Sequence, residues 1–173
     1  MSPGSSRHAA SAEEARRIAV RVRDPELPML TLEDLGVLRG VEVVGGCVIV
    51  TLTPTYSGCP ALATMRDDVV HRLHNHGFLE VEVRISLDPP WSSDDITPKG
   101  RRALVEAGIS APGPAPDTSG PVPLSLLPTH RAVTCPQCGA ADAVLTSEFG
   151  ATACKALYRC TECLEPFEHI KEI

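Results

Sequence analysis

Two cysteine pairs near one end of the chain limit the fold more than any other feature: Cys135-Pro-Gln-Cys138 and, after 21 intervening residues, Cys160-Thr-Glu-Cys163. Two turns of this kind present four thiolates to one tetrahedral ion, and the spacing predicts a structural zinc, one per chain. Around them, 144–149, 156–159 and 167–173 read as short strands, the plan of a zinc ribbon. Residues 129–173 carry few large apolar side chains and cannot fold by burial alone, whereas such a zinc supplies roughly 10–16 kcal/mol of apparent binding energy. Metal and folding are therefore expected to be coupled. Iron in a tetrathiolate, or a cluster, uses the same residue types and stays open as an alternative. Cys154 is an extra thiol outside both pairs, expected as a spare buried side chain. His169 alternates with Phe167 and reads as a strand-surface residue rather than a ligand.

The front two thirds are organised around Thr53-Pro54-Thr55-Tyr56-Ser57-Gly58-Cys59-Pro60, which joins the β-branched run 48–52 to a stretch with Leu62, Met65, Val69 and Leu73 at helical spacing. Pro60 suits the first helical position, which puts Cys59 at or beside the N-cap. A thiol there meets unpaired backbone N–H groups and the positive end of the helix dipole, so its thiolate is favoured. Cys59 is thus a candidate nucleophile or soft-metal ligand, with Thr53, Thr55 and Ser57 available as hydrogen-bonding neighbours.

Either side of that loop the pattern is regular. Ser11 and Glu14 suggest a capping box for a helix over 12–23, stopped by Asp24-Pro25-Glu26-Leu27-Pro28. Residues 31–36 allow one short helical turn. Strands at 37–44 and 47–53, separated by Gly45-Gly46, make a hairpin. The second helix should end at His76-Gly77, and 81–87 alternates as a strand buried on one face. A right-handed crossover sets that strand parallel to its neighbour. His71, His74 and His76 are favoured near a helix C-terminus by the dipole alone. A third helix starts at Thr97-Pro98 and runs to Gly108. The fold class expected is α+β: a small mixed three-stranded sheet with helices on one face, plus a small β zinc ribbon. The first domain covers 11–109 and the ribbon 129–173. Between them 110–128, with six prolines and two glycines, reads as a linker.

The 173 residues suffice for one ordinary domain and a small one, and the net charge is −6. Residues 1–128 hold 12 basic and 16 acidic side chains, and the remainder 4 and 6, so no basic face recommends nucleic acid or an anionic membrane as partner. The polar start and the lack of an apolar run near ~20 residues, with an odd seven cysteines, predict a cytoplasmic protein in a reducing compartment.

Asp24-Pro25-Glu26-Leu27-Pro28, Leu35-Gly36-Val37-Leu38, the loop 53–60 and Pro89-Pro90-Trp91 together resemble the metal-sulfur cluster assembly domain of the SufT type. The stretch from Ser147 to Cys160 is similar to the PaaD family associated with the phenylacetyl-CoA oxygenase (epoxidase) of phenylacetate degradation. The resemblance implies an accessory protein, not an enzyme, that helps mature the iron-sulfur cluster or di-iron centre of that system. It makes Cys59 the working thiol, places the Asp24 and Glu26 carboxylates in the shared motif, and implies transient iron or an Fe-S cluster as cargo. Its partners would be the reductase or oxygenase components, with room for a homodimer. Two other classes remain: a thiol enzyme in which Cys59 attacks an acyl-CoA thioester, and a purely structural subunit. The first needs a base and an oxyanion site beside the sulfur, and no histidine lies close to Cys59 in sequence.

Overall fold

The computed structural model describes residues 4–116 and 132–173, with side chains from Ala12 onward. It divides into two compact units, one formed by residues up to Trp91 with Asp95–Gly100, the other by Ser92–Asp94 with Arg101–Ile173.

In the first unit, α1 (Gly4–Ala19) is followed by the hairpin β1 (Leu38–Val44) and β2 (Cys47–Leu52), then α2 (Leu62–Asn75) and β3 (Val81–Ile85). The sheet order is β1-β2-β3, antiparallel then parallel, as the hairpin and crossover require. Gly45 and Gly46 both have positive φ, 59° and 92°, which suits the turn to the right-handed twist of its strands. Val48, Val50 and Leu52 alternate on the buried face with Met65, Val69 and Leu73 of α2 and Ala15, Ile18 and Ala19 of α1. At the end of α2 the N–H of Phe78 reaches the carbonyl of Leu73, and that of Gly77 reaches His74. This is a Schellman closure, and Gly77 takes its left-handed position at φ 91°. The Trp91 indole N–H donates to the Leu35 carbonyl at 2.9 Å and ties the strand-breaking segment 88–91 to the loop before β1. Thr97 caps α3 (Pro98–Glu106), its hydroxyl accepting the Gly100 N–H at 3.0 Å.

Three local expectations change. The helix α1 begins at Gly4 and ends at Ala19, so Ser11 lies inside it, and the chain turns at Val20 and Arg21 toward the Arg23 bridge instead of continuing the helix. Residues 32–36 form hydrogen-bonded turns without a helix, closed by Leu35 N–H to Thr31 and Gly36 N–H to Glu33. The strand β3 is at the sheet edge, and its apolar side is only half-covered.

In the second unit β5 (Ala143–Ser147), β6 (Lys155–Cys160) and β7 (Pro166–Ile170) form the expected antiparallel ribbon. A fourth strand, β4 (Ile109–Ser110), has no local pattern to announce it; it pairs parallel with β7 and makes the sheet order β4-β7-β6-β5. The start of the proline-rich segment is thus part of this unit: the Gly113 N–H donates to Glu172 and that of Ala115 to Asp94. A boundary at 109/110 does not coincide with this division, and the rest of the expected linker, 117–128, lies outside the described residues. No helix among the described residues is long and apolar enough to cross a membrane.

Candidate functional site

The loop after β2 is built from its own backbone. Thr53 N–H still belongs to the strand end, donating to Val37 at 2.8 Å, and its side chain is 1 % exposed. The Thr53 hydroxyl has no hydrogen-bond partner among the described residues, which is rare for a buried polar group. Pro54 is buried, Thr55 and Tyr56 half-buried, and Ser57 and Gly58 exposed. The chain then folds back, with Cys59 N–H donating to the Tyr56 carbonyl at 3.2 Å and the Cys59 carbonyl accepting from Leu62 at 3.3 Å. The N-cap of α2 is Ala61, with no side-chain cap, so Cys59 sits two residues ahead of it and Pro60 lies outside the helix. That corrects the position expected for both. The half-buried thiol rides on a tight turn leading into the helix rather than on its first residue.

Asp24 and Glu26 occupy a second loop, pinned by the bridge between Arg23 and Thr31. Asp24 is 4 % exposed, and its Oδ1 accepts the N–H groups of Glu26 and Leu27, each at 2.8 Å. The Asp24 carboxylate therefore holds its own turn, while the Glu26 side chain is exposed. Thr53, Thr55, Ser57 and Cys59 share one loop; the four paired cysteines lie in the other unit.

There Cys135, Cys138, Cys160 and Cys163 converge, with their sulfurs all within 4.8 Å of one another. The Cys135–Cys163 and Cys138–Cys160 sulfur pairs are 3.7 and 3.6 Å apart. Thiolates about 2.3 Å from a central zinc would be about 3.8 Å apart along tetrahedral edges, so the donor set fits that ion. Each knuckle is closed the same way, Cys135 N–H to Ala140 and Cys160 N–H to Glu165. The residue after the second cysteine is left-handed in both: Gly139 at φ 76° and Leu164 at φ 65°. The Cys163 N–H points at the Cys160 sulfur and pulls that thiol down to about 7. The Glu165 N–H favours the Cys163 thiolate, but burial and the three neighbouring sulfurs outweigh it and push this thiol up to about 12. Four adjacent sulfurs cannot all ionise unaided, and a divalent cation at their centre reverses that. Behind them Val133 and Phe167 complete a small core, and the Tyr158 ring stacks on Phe167 at 6.1 Å.

Cys154 stands outside this group, its sulfur 3.1 Å from the Thr152 hydroxyl. His169 is not a surface residue: it is 3 % exposed, with Nδ1 3.1 Å from the Ser110 hydroxyl and Nε2 3.2 Å from Glu172. Glu172 is three residues away just beyond β7, but Ser110 lies 59 residues back on β4, out of reach of any local pattern. His71, His74 and His76 are exposed.

Residues 20–90 match a family model described as iron-sulfur cluster assembly protein, and residues 119–171 match the PaaD zinc beta ribbon domain. The chain is 43 % identical over 151 residues to an Escherichia coli (strain K12) protein provisionally named as one of the subunits of 1,2-phenylacetyl-CoA epoxidase, covering 87 % of each. It is 32 % identical over 99 residues to an Fe-S protein maturation auxiliary factor of Porphyromonas gingivalis (strain ATCC BAA-308 / W83), covering 56 % of this chain and 90 % of that one. Among solved structures, a DUF59 domain from Bacillus anthracis superposes with a TM-score of 0.54 at 27 % identity, over 58 % of this chain and 97 % of that domain. With an assembly-type domain ahead of a four-cysteine ribbon, and this likeness over most of its length, the chain belongs to the PaaD family.

Proposed function

We propose that this protein is a non-catalytic maturation factor for a 1,2-phenylacetyl-CoA epoxidase, holding iron or an Fe-S cluster transiently at Cys59 and passing it to the reductase or oxygenase component. The observation that carries the reading is the half-buried Cys59 thiol on the turn into α2, in the same loop as the partnerless hydroxyl of Thr53. In this reading Thr55 and Ser57 supply hydroxyls beside the sulfur, and Glu26 is the exposed carboxylate that can approach cargo or partner. Asp24 keeps the loop of Glu26 in shape. Cys135, Cys138, Cys160 and Cys163 hold a structural zinc, which supplies folding energy and no chemistry. The ribbon then serves as a docking module.

The test is Cys59→Ser. The variant is expected to keep its fold and its zinc, while epoxidase produced beside it comes out deficient in iron or cluster. Epoxidase with full metal content from that strain overturns the proposal. The alternative of an acyl-transfer enzyme is weakened by geometry, since His71, His74 and His76 lie roughly 14 Å or more along α2 from its first residue, Leu62. A covalent adduct at Cys59 after incubation with phenylacetyl-CoA would decide for that alternative.

A further inference from the structure

Strand β3 forms one edge of the first sheet, and among the described residues no strand pairs with its outer side. The two edges differ. On β1 the register shifts between Leu38 and Gly40, an irregularity that discourages further pairing. β3 has no such break and pairs evenly with β2 from Val81 to Ile85. Three large apolar side chains on the strand or just beyond its two ends are exposed: Leu79 85 %, Ile85 43 % and Leu87 58 %.

The direction of the backbone groups is fixed by the ladder. The Glu80 carbonyl accepts from Val48 and the Ser86 N–H donates to Leu52, so even-numbered residues of β3 turn their backbone groups toward β2. In a strand, successive residues alternate. Val81, Val83 and Ile85 therefore turn their N–H and C=O groups to the open edge.

We propose that this edge binds a second copy of the chain, with β3 antiparallel to its counterpart about a two-fold axis at Val83, giving a six-stranded sheet. In that register the outward backbone groups of Val83 meet those of the other Val83, and Val81 pairs with Ile85, each pair exchanging two hydrogen bonds. Glu82 then stands opposite Arg84 of the other copy, at the closely spaced non-hydrogen-bonded positions about 4.5 Å apart between Cα atoms. Within one chain Glu82 and Arg84 already pair at 2.7 Å, both about half-exposed, so the two copies close a ring of alternating charge. Continuing the same register sets Leu79 opposite Leu87, which covers the two most exposed of the three apolar side chains.

Neighbouring registers lose this match. A two-fold at residue 82 sets Glu80 opposite Arg84 but opposes Glu82 to Glu82 at the axis, one at residue 84 opposes Arg84 to Arg84, and one at residue 81 opposes Glu82 to Glu80. Charges alone are a common guard on edge strands. Here their signs alternate so that one antiparallel register sets unlike charges opposite each other within the strand with no like pair, and that register is also the one that sets Leu79 opposite Leu87. A C2 contact of this kind is self-limiting, since it consumes the edge that makes it.

The experiment follows molecular mass by sedimentation across a dilution series, with hydrogen exchange, on the zinc-loaded full chain. The wild type is expected to dimerise reversibly, with the amides of Val81, Val83 and Ile85 losing protection on dilution. Glu82→Arg should weaken self-association about tenfold or more by opposing like charges, and adding Arg84→Glu should restore it. Val83→Pro removes an outward N–H that the β2 ladder does not use, and should abolish the dimer while α2 and the zinc site persist. A wild type that is monomeric at every concentration overturns the proposal, as does a dimer indifferent to Glu82→Arg and Val83→Pro. Protection of β3 amides that arises only on adding epoxidase components would give the edge to a different chain and overturn it too.

Discussion

Leu164 occupies a backbone position for which glycine is the natural choice. Its counterpart after the first knuckle is Gly139, and both are left-handed, at φ 65° and 76°. For an L-residue that conformation costs roughly 1–2 kcal/mol, and the Leu164 side chain, 57 % exposed, recovers little by burial. Leu164→Gly is therefore expected to stabilise the zinc-loaded ribbon by up to about 1 kcal/mol after the added freedom of glycine in the unfolded chain is allowed for, read as a raised thermal midpoint. A second residue sets an acid limit. Burial alone would raise the Asp34 pKa, but hydrogen bonds from Lys99 and Thr31 and the Lys99 charge outweigh it and hold the carboxyl below its ordinary 3.8. A carboxyl lowered on folding stabilises the native state fully above its unfolded value and loses that contribution as pH falls through the folded value. Unfolding titrations should thus show a loss of stability below about pH 4 that is reduced in Asp34→Asn.

Glycine plays two different parts among the connecting elements. Gly77 closes α2 at φ 91°, and an added Cβ there would meet nothing within 4 Å. Gly36 turns the chain into β1 at φ 76°, and a Cβ there would fall 2.5 Å from the Asp95 Cβ and 2.6 Å from its carbonyl oxygen. Gly77→Ala should cost about 1 kcal/mol, from conformation alone. Gly36→Ala should cost about 2–4 kcal/mol, since an overlap with backbone adds to the conformational term. Denaturant midpoints of the two variants, side by side, check the difference. Both glycines are conspicuous in the sequence, yet the close neighbour that separates them is 59 residues downstream of Gly36, in a segment whose position depends on the Trp91 anchor and the turn after it.

At the scale of the whole molecule, the two units owe their stability to different sources. The first buries a continuous apolar set from α1, α2 and β2, whereas the second buries Leu104, Ile109, Ala156 and Ile170 and, around the four converging cysteines, a small cluster of Val133, Cys135, Cys160 and Phe167. Chelation should therefore unfold β5–β7 and release β4, while β1–β3 keep their hydrogen-exchange protection; a ribbon that stays protected without metal would contradict the coupling. The sequence by itself determined the four cysteines that converge, the hairpin, the crossover and the loop carrying Cys59, because cysteine spacing, alternation and glycine position act over a few residues and are written locally. Tertiary structure alone decided that Cys59 precedes the helix cap by two residues, that the Asp24 turn is buried, and that His169 is buried against Ser110 of β4. Each of those depends on which surfaces distant segments cover once they have packed. No stretch of the chain encodes that by itself.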